Sequence, residues 1–139
     1  ISDREAEWIS AYAKKKNLKV YAVGGIQKCA DRFVACSPFE VLAYFKNAEE
    51  VITDTFHGSI FSIITKRKFT TLIRKSLGES YGNEEKLSDL LERLGLSSRM
   101  TTDIVDVCNI NNTIIDFDKV NDILKKQREL AKEYILQNI

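Results

Sequence analysis

Apolar and polar positions alternate between two periods along the first half of the chain. From Asp3 to Lys16, Ile9, Tyr12 and Ala13 fall on one helical face with Trp8 flanking it, and Asp3 is the expected N-cap. Asn17 ends that helix, and Leu18 to Val23 reads as a short strand closed by a Gly24-Gly25 turn. Ser37-Pro38 opens a second helix, with Ser as the cap and Pro at the first helical position, where its missing N–H is no loss. Phe39, Val41, Leu42 and Phe45 give it an apolar stripe, Asn47-Ala48 ends it, and Glu50 to Thr53 forms the next strand. Ser59 to Lys66, apolar at Ile60, Phe61, Ile63 and Ile64, is expected as a buried helix, and Phe69 to Ile73 as a third strand. Short alternation of strand and helix predicts an α/β fold: a three-layer, Rossmann-like domain with a parallel sheet covered on both faces. The alternation begins partway through its repeat. A complete doubly wound domain would supply at least one strand before Asp3.

The second half has a helical pattern and fewer strand signals. Leu87, Leu90, Leu91 and Leu94 repeat at helical spacing, with Gly95 as the residue past the helix end. Residues 100–117 are expected as loop with short extended pieces. From Asp118 onward Val120, Ile123, Leu124, Gln127, Leu130, Ala131, Tyr134 and Ile135 trace one face of a long docking helix, opposite Lys125, Lys126, Arg128, Glu129 and Lys132. The expected organisation is one domain over 1–139, partial within a larger transferase. Its alternating sheet core occupies 1–75 and a helical part 84–139.

Composition narrows the function classes. The 139 residues are 44% hydrophobic, enough for a sizeable core, and 21 Lys+Arg against 20 Asp+Glu leave a net charge of +1. That balance gives no footprint for nucleic acid or an anionic membrane surface. No apolar run reaches the roughly 18 residues of a membrane helix. Three cysteines, Cys29, Cys36 and Cys108, form no C-x-x-C pair and lie far from the single histidine, His57. They read as small apolar residues in a reducing cytoplasm, which is the expected location. Asn111-Asn112-Thr113 matches a glycosylation sequon, taken as a chance match in the absence of a secretory signal.

Candidate chemistry concentrates in Val51-Ile52-Thr53-Asp54-Thr55-Phe56-His57-Gly58-Ser59. An apolar strand runs into a polar turn and then a helix start with the lone histidine at the hinge. In open α/β sheets, ligands bind beyond the carboxyl ends of the strands, where helix N-termini present amides. The amides of Gly58 and Ser59 are expected to suit a phosphate or carboxylate, and His57 to donate a proton or bind an anion near neutral pH. A histidine there can also simply cap a turn, and Asp54 and Thr55 are ordinary N-caps. Arg74 and Lys75, after the third strand, are either anion contacts in the same crevice or solvated strand-end charges.

Cys36-Ser37-Pro38-Phe39-Glu40-Val41-Leu42, followed by Asn47-Ala48-Glu49-Glu50 and Val51 through Ser62, resembles the polysaccharide pyruvyl transferase family, whose recurring string is "S-P-x-E … N-A-x-x-V-I-T-D-S-F-H-G-T-x-F-S". Asn83-x-x-x-Lys86-x-x-x-Leu90-Leu91-x-x-Leu94-Gly95-Leu96-x-x-Arg99 and Ile115-Asp116-Phe117-Asp118 fit as well. The resemblance spans about residues 17–137. It departs at Thr55 and Ser59, which keep a hydroxyl, and at Lys86, where Arg is common. It implies the C-terminal, donor-side half of a GT-B-like two-domain architecture, with the N-terminal domain of the same protein as partner. The implied reaction carries the pyruvyl group of phosphoenolpyruvate onto a saccharide acceptor of a cell-surface polysaccharide as a cyclic ketal. His57 is then the catalytic residue, with Ser37, Glu40, Thr55, Phe56, Gly58, Ser59 and Arg74 around the donor. No metal or cofactor is demanded, because amides and basic side chains can meet the anionic donor. Two other readings stay open. One is a sugar-nucleotide-dependent glycosyltransferase half, with Glu40 on a ribose. The other is a non-catalytic assembly domain in which His57 is only a cap. An open polar pocket at His57 would favour the enzyme readings and a buried His57 the assembly domain.

Overall fold

The computed structural model describes residues 1–75 and 82–139. In chain order the elements are α1 (Asp3–Lys15), β1 (Tyr21–Val23), β2 (Arg32–Val34), α2 (Pro38–Asn47), β3 (Glu50–Thr53), α3 (Phe56–Ile64), β4 (Lys68–Leu72), α4 (Glu84–Arg93), β5 (Met100–Thr101), α5 (Val107–Asn112) and α6 (Phe117–Gln137). All strand pairings among the described residues are parallel. They form two separate sheets, β1-β2 and β3-β4-β5.

Alternation along β4 distributes the core to both faces of the larger sheet. Phe69 packs with Ile63 of α3, Leu91 of α4 and Val120 of α6, joined by Val51, its register partner on β3. Leu72 faces the other way, against Ile9 of α1, Ile104 and Val107, with Trp8, Val20 and Ile52 at the margin. Helices therefore cover both faces of a parallel sheet, an α/β arrangement consistent with the expected Rossmann-like layering.

Helix starts follow local chemistry. The cap of α1 is Ser2, not Asp3: the Ser2 hydroxyl accepts from the Glu5 amide at 3.3 Å while the Glu5 carboxylate accepts the Ser2 amide at 2.7 Å. The same S-x-x-E box opens α2, with Ser37 and Glu40 in the two roles and Pro38 at the first helical position. α1 ends with Asn17 at φ +54°, and the turn after α4 uses Gly95 at φ +68°.

Several elements differ from the sequence expectation. β1 covers only the last half of Leu18–Val23, and α3 begins at Phe56 rather than Ser59 because Thr55 supplies its cap. β2 carries an isolated Arg-Phe-Val run too short for a periodic signal. Residues 100–117, expected as loop with short extended pieces, do contain a short strand, β5, which joins the sheet as an edge strand, but also a 3₁₀ turn and the short helix α5, which go beyond that expectation. Arg99 explains how α5 ends there. Its guanidinium, 1% exposed, donates to the carbonyls of Ile110 and Thr113 at 2.8 Å each, closing the helix C-terminus. α6 docks only through Val120, Ile123 and Leu124; beyond them Leu130, Tyr134 and Ile135 are exposed, so the expected docking face is used over half its length.

The end of the sheet where the strands begin is locked by a polar network. The Glu50 carboxylate accepts from Tyr12 at 2.8 Å, Lys16 at 2.7 Å and Asn111 at 2.6 Å, and Asn111 accepts from Thr70 at 2.8 Å. Burial pushes the Glu50 pKa up, but the bonds from Lys16, Tyr12 and Asn111 outweigh it and hold the carboxyl below its usual range. Asn111, the acceptor position of the sequon, is fully buried in this network.

Candidate functional site

The turn from β3 into α3 is built from two threonine side chains and a glycine. Thr55 caps α3 by accepting the Gly58 amide at 3.0 Å. Thr53 accepts the Thr55 amide at 3.2 Å, and the two threonine hydroxyls share a hydrogen bond of 3.1 Å. Gly58 completes the corner because a Cβ there would fall on Thr53 Oγ1 and lie 2.8 Å from Thr55 Oγ1. Behind it, Ser59 is fully buried, bonded through its hydroxyl to Thr71 of β4 at 2.9 Å and to the Thr55 carbonyl at 3.1 Å.

This corrects which amides are open. Gly58 N–H is taken by the cap and Ser59 N–H by the Thr55 carbonyl at 3.1 Å. The amides left without a partner in the helix are those of Phe56 and His57, two residues earlier than expected. His57 itself is exposed, its ring 6.1 Å from Phe56 and 6.3 Å from Phe61, and among the described residues its imidazole has no hydrogen-bond partner. It does not cap a turn; Thr55 does that.

Ser37 and Glu40 stand at the corresponding corner, the start of α2 after β2, each engaged with the other. The Ser37 amide and hydroxyl hold the Glu40 carboxyl below its usual range. Ser37→Ala is accordingly expected to lower stability by about 1 kcal/mol in urea unfolding, as loss of a cap. Ligand affinity that fell tenfold with stability otherwise intact would make Ser37 a ligand contact instead.

Arg74 is placed at the carboxyl ends of β3 and β4, as expected, but not as a free cation. Its guanidinium forms a fork with Glu5 of α1, 2.5 Å and 3.2 Å, and reaches Asp54 at 3.2 Å. Two carboxylates against one guanidinium leave the cluster with net negative charge, so Arg74 serves to join α1 to the strand ends. Asn83, ahead of α4, clips the same ends: its side-chain amide donates to the Asp54 carbonyl at 2.5 Å and its oxygen accepts the Arg74 amide at 2.7 Å. Pattern reading gave Glu5 and Asn83 no role here. Nothing local to Glu5 signals a partner 69 positions away. No group of three or more His, Cys, Asp or Glu side chains among the described residues is placed to hold a metal ion. Among the described residues no helix is long and apolar enough to cross a membrane.

Comparison with curated proteins and with solved structures gives no match. Residues 7–76 match the family model for polysaccharide pyruvyl transferase, a stretch that runs from α1 through β4 and contains both capped helix starts and His57. The Asn83–Arg99 and Ile115–Asp118 pieces lie outside it. With half of its length in that match, the chain belongs to the polysaccharide pyruvyl transferase family.

Proposed function

We infer that this chain is the donor-binding half of a GT-B-like cytoplasmic transferase that takes the pyruvyl group from phosphoenolpyruvate and delivers it to a saccharide acceptor held with the help of a second, N-terminal domain. The observation that carries this reading is the division of labour within Thr53-Asp54-Thr55-Phe56-His57-Gly58. Thr53, Thr55 and Gly58 build the corner and Asp54 holds Arg74, whereas the exposed His57 imidazole and the Phe56 and His57 amides of the first turn of α3 have no partner among the described residues.

The chemistry suits those groups. Phosphoenolpyruvate brings a phosphate and a carboxylate to amides at the positive end of a helix. A proton added to its methylene carbon leaves an oxocarbenium-like centre at the adjacent carbon. One sugar hydroxyl adds there, a second displaces phosphate, and the ring closes as a ketal. Of the two hydroxyl protons released, one is balanced by the methyl group and one leaves with phosphate. His57 is the proton donor or the phosphate-contacting cation, and no metal or cofactor takes part. With acceptor groups on another domain, the chain alone is expected to bind donor without turning over sugar.

The test is a thermal-shift titration. Phosphoenolpyruvate is expected to raise the melting temperature of the chain, and His57→Ala to abolish the rise while leaving the unliganded melting temperature within about 2 °C, since the side chain bears no packing load. Equal protection of both proteins, or protection by uridine or guanosine diphosphate and not by phosphoenolpyruvate, would overturn the reading. His57→Gln, which can still hydrogen-bond, separates the roles: retained binding with lost phosphate release in the two-domain enzyme assigns proton donation.

A further inference from the structure

We propose that Asn83 is a positioning residue for the corner that carries His57. It holds the Asp54–Thr55 peptide, and through it the cap and first turn of α3, while leaving its own helix without a side-chain cap.

A broken local rule is the first sign. Asn83 occupies the cap position of α4, where an asparagine side chain ordinarily accepts an amide of the first turn. It makes no such bond, and Lys86, three residues on, offers no carboxylate to close a capping box. The side chain turns to the strand ends instead. Its Nδ2 donates to the Asp54 carbonyl at 2.5 Å and to the Leu72 carbonyl at 3.4 Å, and its Oδ1 accepts the Arg74 amide at 2.7 Å. Donor meets acceptor at every contact, so a single orientation of the side-chain amide satisfies three backbone groups.

What those bonds hold is the second sign. The Asp54 carbonyl and the Thr55 amide belong to one planar peptide unit. Asn83 takes its carbonyl edge, and Thr53 Oγ1 takes its amide edge at 3.2 Å, so the plane is fixed from both sides. Thr55 is the residue that caps α3, through the Gly58 amide. Turning the plane would pull Thr55 off that amide and tilt the unpartnered Phe56 and His57 amides, with the imidazole, away from their present line.

The bonds also close on themselves. The Asn83 amide donates to the Arg74 carbonyl at 3.0 Å, and the Arg74 guanidinium returns to the Asp54 carboxylate at 3.2 Å. Asn83, Arg74 and Asp54 therefore form a ring across the carboxyl ends of β3 and β4. Asn83 lies outside residues 7–76, the stretch that carries the family match.

The experiment compares Asn83→Ser and Asn83→Asp with the parent chain. A residue that only starts a helix tolerates both, because Asn, Asp and Ser rank nearly equal as caps. A clip tolerates neither. Serine is too short to reach the strand ends, and aspartate turns an oxygen onto two carbonyls beside the Glu5 and Asp54 carboxylates. The readouts are the amide NMR resonances of Thr55, Phe56 and His57 without ligand, and phosphoenolpyruvate affinity by calorimetry; only the second rests on the donor reading above. Both variants are expected to displace the corner resonances. Affinity is expected to fall roughly tenfold for Asn83→Ser and further for Asn83→Asp, since small misplacements of binding groups are costly. Should the aspartate variant fold poorly, Asn83→Ser, which can still cap α4, decides alone. Unmoved corner resonances in the folded serine variant, or displaced resonances with unchanged affinity, would overturn the inference. A parent that fails to bind phosphoenolpyruvate, with corner resonances that still follow Asn83, upholds the positioning and overturns the donor reading alone.

Discussion

Gly58→Ala is expected to destabilise the chain by about 2–3 kcal/mol, read as a lowered urea midpoint at unchanged slope. The sign is the informative part. Gly58 lies inside a helix and is not among the positive-φ glycines, which are Gly24 and Gly95, so alanine should by propensity gain about 1 kcal/mol. The new methyl group instead meets Thr53 Oγ1, Thr55 Oγ1 at 2.8 Å and Thr53 Cβ at 2.9 Å. Rotating Thr53 would relieve the oxygen contact but sacrifice its bonds to Thr55, and the Cβ contact would persist. Thr53→Ala should therefore rescue part of the loss, with a coupling of about 1 kcal/mol between the two sites in a double-mutant cycle. A Gly58→Ala protein as stable as the parent would show that the threonine pair does not dictate glycine here. The ligand readout should fall with it, since the same displacement tilts the first turn of α3 and His57 on it.

That corner shows what was legible in the sequence. S-P-F-E and T-D-T-F-H-G both encode helix starts, and the residue types needed for caps, a Pro at the first position and a Cβ-free approach are local and short-range. The strand-helix alternation likewise gave the parallel sheet and its covered faces. S-D-R-E carried the Ser2 box as openly, yet Asp3 also satisfies cap preferences, and only the reciprocal bonds decide between them. Long-range partners were not legible. Arg74 follows a strand and carries a charge, which fits an anion contact until Glu5 and Asp54 are brought to it by the fold. β2 and β5 have three and two residues, too few to show a period of two. The expected free amides at Gly58 and Ser59 failed for a similar reason: shifting the helix start to Phe56 moves the unpaired positions with it. What remains without a structural task after this sorting is His57, and its lack of one is a property no sequence pattern could display.

Acidification should expose the Glu5–Arg74 pair as a stability element distinct from the site chemistry. Burial raises the Glu5 pKa, but the Arg74 guanidinium, together with the Ser2 amide and hydroxyl, outweighs that cost and brings it to about 2 from an unperturbed 4.5. A carboxyl whose folded pKa is depressed contributes stability that is complete above its unfolded pKa and disappears as pH falls towards the folded one. The window is therefore pH 4.5 down to about 2. With the Arg74 side chain one-third exposed and Glu5 11% exposed, the contribution is about 2 kcal/mol after allowance for solvent screening. Glu5→Gln should lose that amount at pH 7 and close most of the gap to the parent as pH falls from 4.5 towards 2, in urea unfolding at a series of pH values. Glu50, also held below its usual range, titrates in both proteins and cancels in the difference. A gap between parent and variant that stays constant from pH 7 to 2.5 would mean that Glu5 acts through packing rather than charge, and that α1 is not tied to the strand ends by Arg74. Because α1 reaches the corner through this pair, Arg74→Met should reproduce the loss at pH 7, and the gap should close in acid as Glu5 of the parent is protonated, since the variant has no Glu5–Arg74 stabilisation left to lose.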